Sequence, residues 1–274
     1  MEALQSSSSA APADSIGIVV LTHGRVHLLR QCVENVLGVT SPATQEIVIW
    51  NNASTDGTRA YLDSLDDPRI RVVHHGENIG QNAYSPAFEL ISAAYLVELD
   101  DDVVGAPQHW DATMRDALRQ LPHVGFLAAD LEDDPHDVTS HYRHRVRPHE
   151  YVPYEENGVH LLRGPAGGTC AMIPGDLYRR VGGFPQNSKW SFWQEEPAFI
   201  EVIKKLGYEP TVLADLRIHH TGGPHYCETP PEKEAFWADY WRTHERRQAI
   251  KRIVFRLPLV RRLNARYGWF VAPS

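Results

Sequence analysis

Short runs of apolar residues alternate along this chain with longer stretches in which apolar positions recur every three or four residues. Ile16 to Leu21 is a continuous β-prone run closed by Thr22-His23-Gly24, and Val26 to Leu37 follows with helical spacing at Leu28, Leu29, Cys32, Val33, Val36 and Leu37. The unit then repeats, with Glu46 to Trp50 as strand, Asn51 to Asp56 as polar loop and Thr58 to Leu65 as helix. A third strand is predicted over Ile70 to His74, followed by a loop holding Gly76 and Gly80 and a helix near Gln81 to Ala93; the fourth strand is Tyr95 to Leu99. Trp110 to Leu121 reads as a helix and Val124 to Ala129 as a strand. Strands alternating with helices predict an α/β domain on a mostly parallel sheet, helices on both faces, with ligands beyond the carboxyl ends of the strands.

From residue 130 to 158 the rhythm breaks. The stretch is rich in acids and carries His136, His141, His144, His149, Pro135, Pro148 and Pro153. Its histidines have no fixed ligand spacing, so a solvated polar loop is expected rather than a zinc site.

At 274 residues and 42% hydrophobic, the chain is long enough to bury a substantial core. A formal net charge of −8 argues against a general nucleic-acid binder. The charge is uneven: from Tyr240 onward nine Lys and Arg face one acid, Glu245, so the last segment is basic and the rest strongly acidic. That segment mixes its arginines with Trp241, Ile250, Ile253, Val254, Phe255, Trp269 and Phe270, a composition for a helical extension packed on its own acidic domain or laid against an anionic membrane. Cys32, Cys170 and Cys227 are odd in number and widely spaced, which fits a reducing compartment, and a cytoplasmic location is expected, with peripheral contact at the inner membrane face left open. No stretch approaches the roughly 20 apolar residues of a membrane span. Residues 1–15, rich in Ser and Ala without a positive or apolar segment, read as a disordered tail rather than a signal.

The densest chemistry lies in Val97-Glu98-Leu99-Asp100-Asp101-Asp102-Val103, an acidic triplet at the end of the fourth strand. Two carboxylates one residue apart at a strand's carboxyl end make a hard-oxygen site for Mn²⁺ or Mg²⁺ with positions left for phosphates.

Several segments in order carry one resemblance. Asn51-Asn52-Ala53-Ser54-Thr55-Asp56-Gly57-Thr58 is similar to the loop after the second strand in family 2 glycosyltransferases of the GT-A fold, and Leu99-Asp100-Asp101-Asp102 resembles their Asp-x-Asp motif. Gly164-Pro165-Ala166-Gly167-Gly168-Thr169, with Val181-Gly182-Gly183-Phe184, resembles the acceptor-side segment. Gln194-Glu195-Glu196-Pro197-Ala198 resembles the acidic helix start, and His219-His220-Thr221-Gly222-Gly223 the closing His-Gly-Gly. Asn51 stands where the family usually has Asp, Gly24 where it has Asn, and Ala198 where it has a second Asp.

The resemblance implies a GT-A type, Rossmann-like catalytic domain over residues 16–225. Residues 16–105 form the nucleotide-binding half and 106–225 the acceptor-binding half, and 226–274 are the helical basic extension. It implies metal-dependent transfer of a sugar from a nucleotide-diphosphate sugar to a sugar, lipid-linked or small-molecule acceptor, with inversion. In that reading Asp102 and Asp100 hold Mn²⁺ or Mg²⁺ with His220 or His219. Glu196, beside Glu195, is the general base. Thr22, His23, Arg25, Asn52, Ser54, Asp56, Asn78, Gly80, Asp100 and Asp101 line the nucleotide-sugar pocket, and Gly167, Gly168, Trp190 and Trp193 the acceptor side. Asp101, between the two metal positions, is expected to point elsewhere and to cost least when replaced. A sugar nucleotidyltransferase shares the sheet and metal, but Thr22-His23-Gly24-Arg25 is a poor version of its phosphate loop. A non-catalytic nucleotide-sugar-binding module is the other class left open.

Overall fold

The computed structural model describes residues 12–132, 151–189 and 195–221, with a few isolated positions between 235 and 246. The chain divides into two compact units, 1–228 and 229–274, and the basic extension of the second falls almost wholly outside the described residues, as does nearly all of the proposed N-terminal tail. Ser15, assigned to that tail, is instead buried: its hydroxyl donates to Pro12 O at 2.6 Å and accepts from Ala94 N at 3.0 Å, which fastens the chain before the first strand.

The elements follow the expected alternation. β1 (Ile16–Thr22), α1 (Val26–Asn35), β2 (Thr44–Asn52), α2 (Thr58–Leu62), β3 (Ile70–His75), α3 (Tyr84–Phe88) and β4 (Tyr95–Asp100) build the first half. β5 (Val103–Gly105), α4 (Trp110–Gln120), β6 (Val124–Leu131), β7 (Val152–Glu156), β8 (Val159–Arg163), β9 (Cys170–Pro174), α5 (Gly175–Arg180), α6 (Glu195–Lys205) and β10 (Glu209–His220) build the second. The strand order is β3-β2-β1-β4-β9-β6-β10-β8-β7, with β5 paired to β10.

The sheet is mixed rather than mostly parallel. β3, β2, β1 and β4 are mutually parallel, as are β6 and β10, but β9 runs antiparallel between β4 and β6. The segment feeding β9 was read only as an acceptor loop, so its reversal of direction was not anticipated. The polar stretch from 130 to 158 likewise ends in structure: β7 and β8 form a hairpin whose two-residue turn is Asn157-Gly158, with φ of 52° and 78°. Positive φ at both turn residues matches the twist of the flanking strands, and Asn-Gly is the pair that tolerates it best. The helix expected near Gln81 to Ala93 is only a 3-10 turn (Gly80–Ala83) running into α3, because Glu46 takes the Ser92 N–H at 3.0 Å and turns the chain into β4.

Both faces of the sheet are covered, which is why its strands read as continuous apolar runs. Ile16, Ile18, Val20, Ile47, Ile49, Val97 and Leu99 face one cluster, which includes residues of α1 and α4. Val19, Val48, Trp50 and Leu96 face the other, which includes residues of α3, α5 and α6. By that alternation Glu98 and Asp100 share the second face with Leu96, so Glu98 is a carboxylate at what is otherwise a core position.

One polar tie fixes the first half to α4. Asp111, fully buried in its first turn, accepts from Ser41 N (2.8 Å), Ser41 Oγ (2.7 Å) and Thr44 Oγ1 (2.7 Å) at the start of β2. Replacing Asp111→Ala strands those donors in the core, and chemical denaturation should show a loss of about 3 kcal/mol. An unchanged midpoint and slope would contradict the assignment.

Candidate metal and nucleotide-sugar site

A cleft at the carboxyl edge of β1, β2 and β4 is lined by Thr22, His23, Arg25, Asn52, Asn78, Gly80, Gln81, Tyr84, Glu98, Asp100, Glu195 and Glu196. Crevices at such strand ends are where this class of sheet binds ligands. Each wall has a local cause. Asn52, buried at the end of β2, accepts from Trp50 Nε1 at 3.2 Å and donates to Gly80 O at 3.2 Å, locking the second-strand loop to the Asn78–Gly80 loop. Gly80 N in turn donates to Asn78 Oδ1 at 3.0 Å. His23 Nδ1 lies 2.7 Å from Asn52 O, tying the first loop to the second.

Ser54 and Asp56 do not line the cleft. Ser54 Oγ accepts from Gly24 N at 2.9 Å, and Asp56 accepts from Val26 N at 3.1 Å and Thr58 N at 3.0 Å, so both hold the loops in place from outside. Asn51, where the family usually has Asp, contacts His74 Nδ1 through its amide nitrogen at 3.1 Å and accepts from Ser54 N at 2.9 Å.

The acidic triplet divides. Asp100, Asp102 and His220 each offer one ligand atom within 4.8 Å of the others. His220 Nε2 lies 3.1 Å from Asp102 Oδ1, both residues being buried. The pairing of β5 with the end of β10, His220 opposite Val103, brings His220 against Asp102, and Thr221 N donates to Asp102 O at 2.8 Å. His219 sits opposite Gly105, and its Nδ1 lies 3.2 Å from Glu132, so the geometry selects His220 of the two histidines. Two carboxylates and an imidazole are a hard donor set that fits Mn²⁺ or Mg²⁺.

Asp101 is not a member of that triangle and does not line the cleft. It is fully buried and ion-paired with Arg25, whose other nitrogen donates to Asp102 Oδ2 at 2.7 Å. Arg25 therefore forks across two adjacent carboxylates, and removing Asp101 takes away one of these two charge-assisted contacts, which argues against a cheap replacement.

A second carboxylate group lies on the same wall: Glu98, Glu195 and Glu196 also bring one oxygen each within 4.8 Å of the others. Glu196 accepts from Gly168 N at 3.2 Å, and a Cβ at Gly168 would sit 2.5 Å from Glu98 Oε1, so only glycine fits there. Glu98 was missed as a site residue. The signal was a lone acid inside an apolar strand, two residues before Asp100. Gln81 and Tyr84 were missed as well, hidden in a segment read as helix. Gly167 lies beside Gly168, whereas Trp190 and Trp193 lie outside the described residues.

Burial and mutual repulsion shape the electrostatics. Burial first, then Asp102, raises the Asp100 carboxyl to about 7. Burial also raises Asp101, to about 6, although Arg25 pulls it down. Glu98 is pushed well above the usual carboxyl range by burial, then by Glu196 and Glu195, and Glu195 by burial and then Glu196.

A Rossmann-like sheet with an acidic turn closing its fourth strand, partnered by a histidine from the last strand, defines a GT-A type glycosyltransferase fold. The chain belongs to glycosyl transferase family 2, whose profile matches residues 17–180. Over 257 residues it is 26% identical to the uncharacterized protein y4gI of Sinorhizobium fredii, an alignment covering 84% of this chain and 28% of that protein. The structure is similar to the mannosyltransferase PcManGT from Pyrobaculum calidifontis in complex with GDP-Man and Mn²⁺ (TM-score 0.55, 19% identity, 77% of this chain and 59% of that one). It is also similar to Staphylococcus aureus TarS in complex with UDP-GlcNAc (TM-score 0.56, 14% identity, 89% and 67%). A third likeness is to glucosyl-3-phosphoglycerate synthase from Mycobacterium tuberculosis in complex with Mn²⁺, UDP and glucosyl-3-phosphoglycerate (TM-score 0.51, 15% identity, 77% and 73%). At these identities the likenesses establish the fold.

The raised carboxyls carry a sign. A carboxyl whose folded pKa lies above its unfolded value binds its proton more tightly when folded, so it stabilises fully below about pH 4, and that contribution is lost as pH rises through the folded pKa. The metal-free protein should therefore melt at a higher temperature at pH 5 than at pH 8, and Glu98→Gln should flatten the fall. A melting temperature that rises steadily over this range would contradict the arrangement.

Proposed function

We propose that this protein transfers a sugar from a nucleotide-diphosphate donor to an acceptor hydroxyl, with inversion, using the cleft at the end of β4. The observation that carries this reading is the Asp100–Asp102–His220 triangle, whose Asp100 lines the same cleft as the loops after β1 and β2 and Glu196. Asp100, Asp102 and His220 would hold Mn²⁺ or Mg²⁺, which when bound supplies Lewis-acid stabilisation of the departing diphosphate. The GDP-Man and UDP-GlcNAc complexes of the structural neighbours support a nucleotide-sugar donor.

The remaining work falls to the chain itself. Thr22, His23, Asn52, Asn78 and Gly80 form the wall for the nucleoside and ribose. Arg25 orients Asp101 and Asp102 through its paired contacts with both. Glu196, partly exposed at the start of α6 and held by Gly168 N, faces the cleft from the acceptor side, where it takes the proton from the attacking hydroxyl. Attack from the side opposite the diphosphate gives inversion in a single displacement. Gly167 and Gly168 border the acceptor, and Trp190 and Trp193 remain proposed for its other face. The acceptor is a sugar, a lipid-linked sugar or a small molecule. No helix among the described residues is long and apolar enough to cross a membrane. Peripheral contact through the basic segment after Tyr240 is proposed as the way a lipid-linked acceptor would be reached.

Glu196→Gln should lower kcat by roughly 10²- to 10⁴-fold, the ordinary contribution of a general base, while nucleotide-diphosphate binding measured by thermal shift with Mn²⁺ stays close to that of the unsubstituted protein. Turnover of a nucleotide sugar that survives this change intact would remove Glu196 from the reaction. Asp102→Asn should abolish the metal-dependent part of the thermal shift.

A further inference from the structure

The residues of the metal triangle do not account for the second group of acids. Glu98 and Glu195 are buried, and Glu98 Oε2 and Glu195 Oε2 have no hydrogen-bond partner among the described residues. Glu196 completes the group at the cleft. Arg25 lines the same cleft, but its guanidinium is engaged by Asp101 and Asp102. Buried carboxylate oxygens this close to one another require a neutralising partner, because like charges out of water repel strongly and lose their hydration.

We infer that Glu98, Glu195 and Glu196 form a second divalent-cation site, distinct from Asp100–Asp102–His220 and adjoining it in the cleft. The donor set is all oxygen, which selects Mg²⁺ or Mn²⁺ over softer metals. A cation bound about 2.1 Å from each oxygen bridges oxygens up to about 4.2 Å apart. The observed triangle, within 4.8 Å, closes to that with a small side-chain movement. The oxygens can approach one another because residue 168 has no side chain: a Cβ there would lie 2.5 Å from Glu98 Oε1 and 2.6 Å from Glu196 Oε1. Glu196 is partly exposed and Glu98 deep, so the site has an open mouth and a closed floor. A cation here would lie on the acceptor side of the cleft, where an oxygen of the acceptor could complete its shell. The inference stands on residues separate from the triangle, sharing only Glu196 with the transfer reading, and neutralisation by protons alone is the competing outcome.

Equilibrium dialysis of the full chain against MnCl₂ alone, without nucleotide, tests it by counting bound ions. The unsubstituted protein should bind two equivalents of Mn²⁺. Glu98→Gln should bind one, and Asp102→Asn one, each variant losing a different ion. Gly168→Ala, which fills the space between Glu98 and Glu196 without altering any ligand, should also bind one and serves if Glu98→Gln fails to fold. One equivalent in the unsubstituted protein, lost in Asp102→Asn and kept in Glu98→Gln, overturns the second site and leaves the first standing. Two equivalents that survive both Glu98→Gln and Gly168→Ala overturn it as well, and no bound Mn²⁺ at all overturns both sites.

Discussion

Glu98, Asp100, Asp101, Asp102, Glu195 and Glu196 converge where β4 ends and α6 begins, and four of the six, Glu98, Asp101, Asp102 and Glu195, are almost wholly removed from water. Negative charge packed this densely is the constraint around which the domain is arranged. Left alone it would drive the carboxyl edge of the sheet apart, since charges in a low-dielectric interior interact far more strongly than in water. The structure answers in two places. Arg25, placed just after β1, spans Asp101 and Asp102, and His220 reaches Asp102 from the last strand. Both partners arrive from segments distant in sequence, so polar pairing at the site and closure of the sheet are the same event.

That coupling explains the odd topology of the second half. β5 is only three residues long, but it pairs antiparallel with the end of β10 and so holds the turn after Asp102 against His220. β9, reversed between β4 and β6, carries the chain up from Gly168 directly alongside Glu98, with Ala171 opposite Glu98 and Cys170 opposite Leu99. A parallel strand in that place would enter the sheet from the opposite end and would not bring the Gly167–Gly168 segment to the acids. The mixed sheet is thus what puts the Gly167–Gly168 loop beside the acids of β4.

Much of this was legible in the sequence, and the legible part has a physical reason. A strand buried on both faces must be apolar throughout, so β1, β2 and β4 announce themselves, and acids abruptly closing such a run mark a site. Loop motifs in order single out Asp100, Asp102, His220 and Glu196, and the structure groups the first three and sets Glu196 on the cleft. What was not legible depended on direction and on distance. Nothing local in Cys170 to Pro174 says that the strand runs backwards, and nothing local in His219-His220 says which ring turns inward; the pairing with β5 decides both neighbours at once. The β7–β8 hairpin was overlooked although Asn157-Gly158 is a strong turn signal, because the acids and histidines upstream drew the whole stretch into a single loop.

Glu98 is the instructive miss and Asp101 its counterpart, since the placement of both follows from alternation along β4 once the sheet is known to be covered on both faces. Val97 and Leu99 face one core and Leu96 the other, so Glu98 must replace an apolar residue, and burying a carboxylate there is strongly unfavourable unless something neutralises it. Asp101, one residue past the strand, is met by Arg25, with the Thr22 hydroxyl beside it. The same periodicity therefore sends acids three residues apart to opposite fates, one held by a guanidinium of the chain and the other facing two more carboxylates with no cation of the described residues paired to it. A protein that keeps so unfavourable a group on the wall of its cleft keeps it for something that enters the cleft, and positive charge is the chemistry that such a wall accepts.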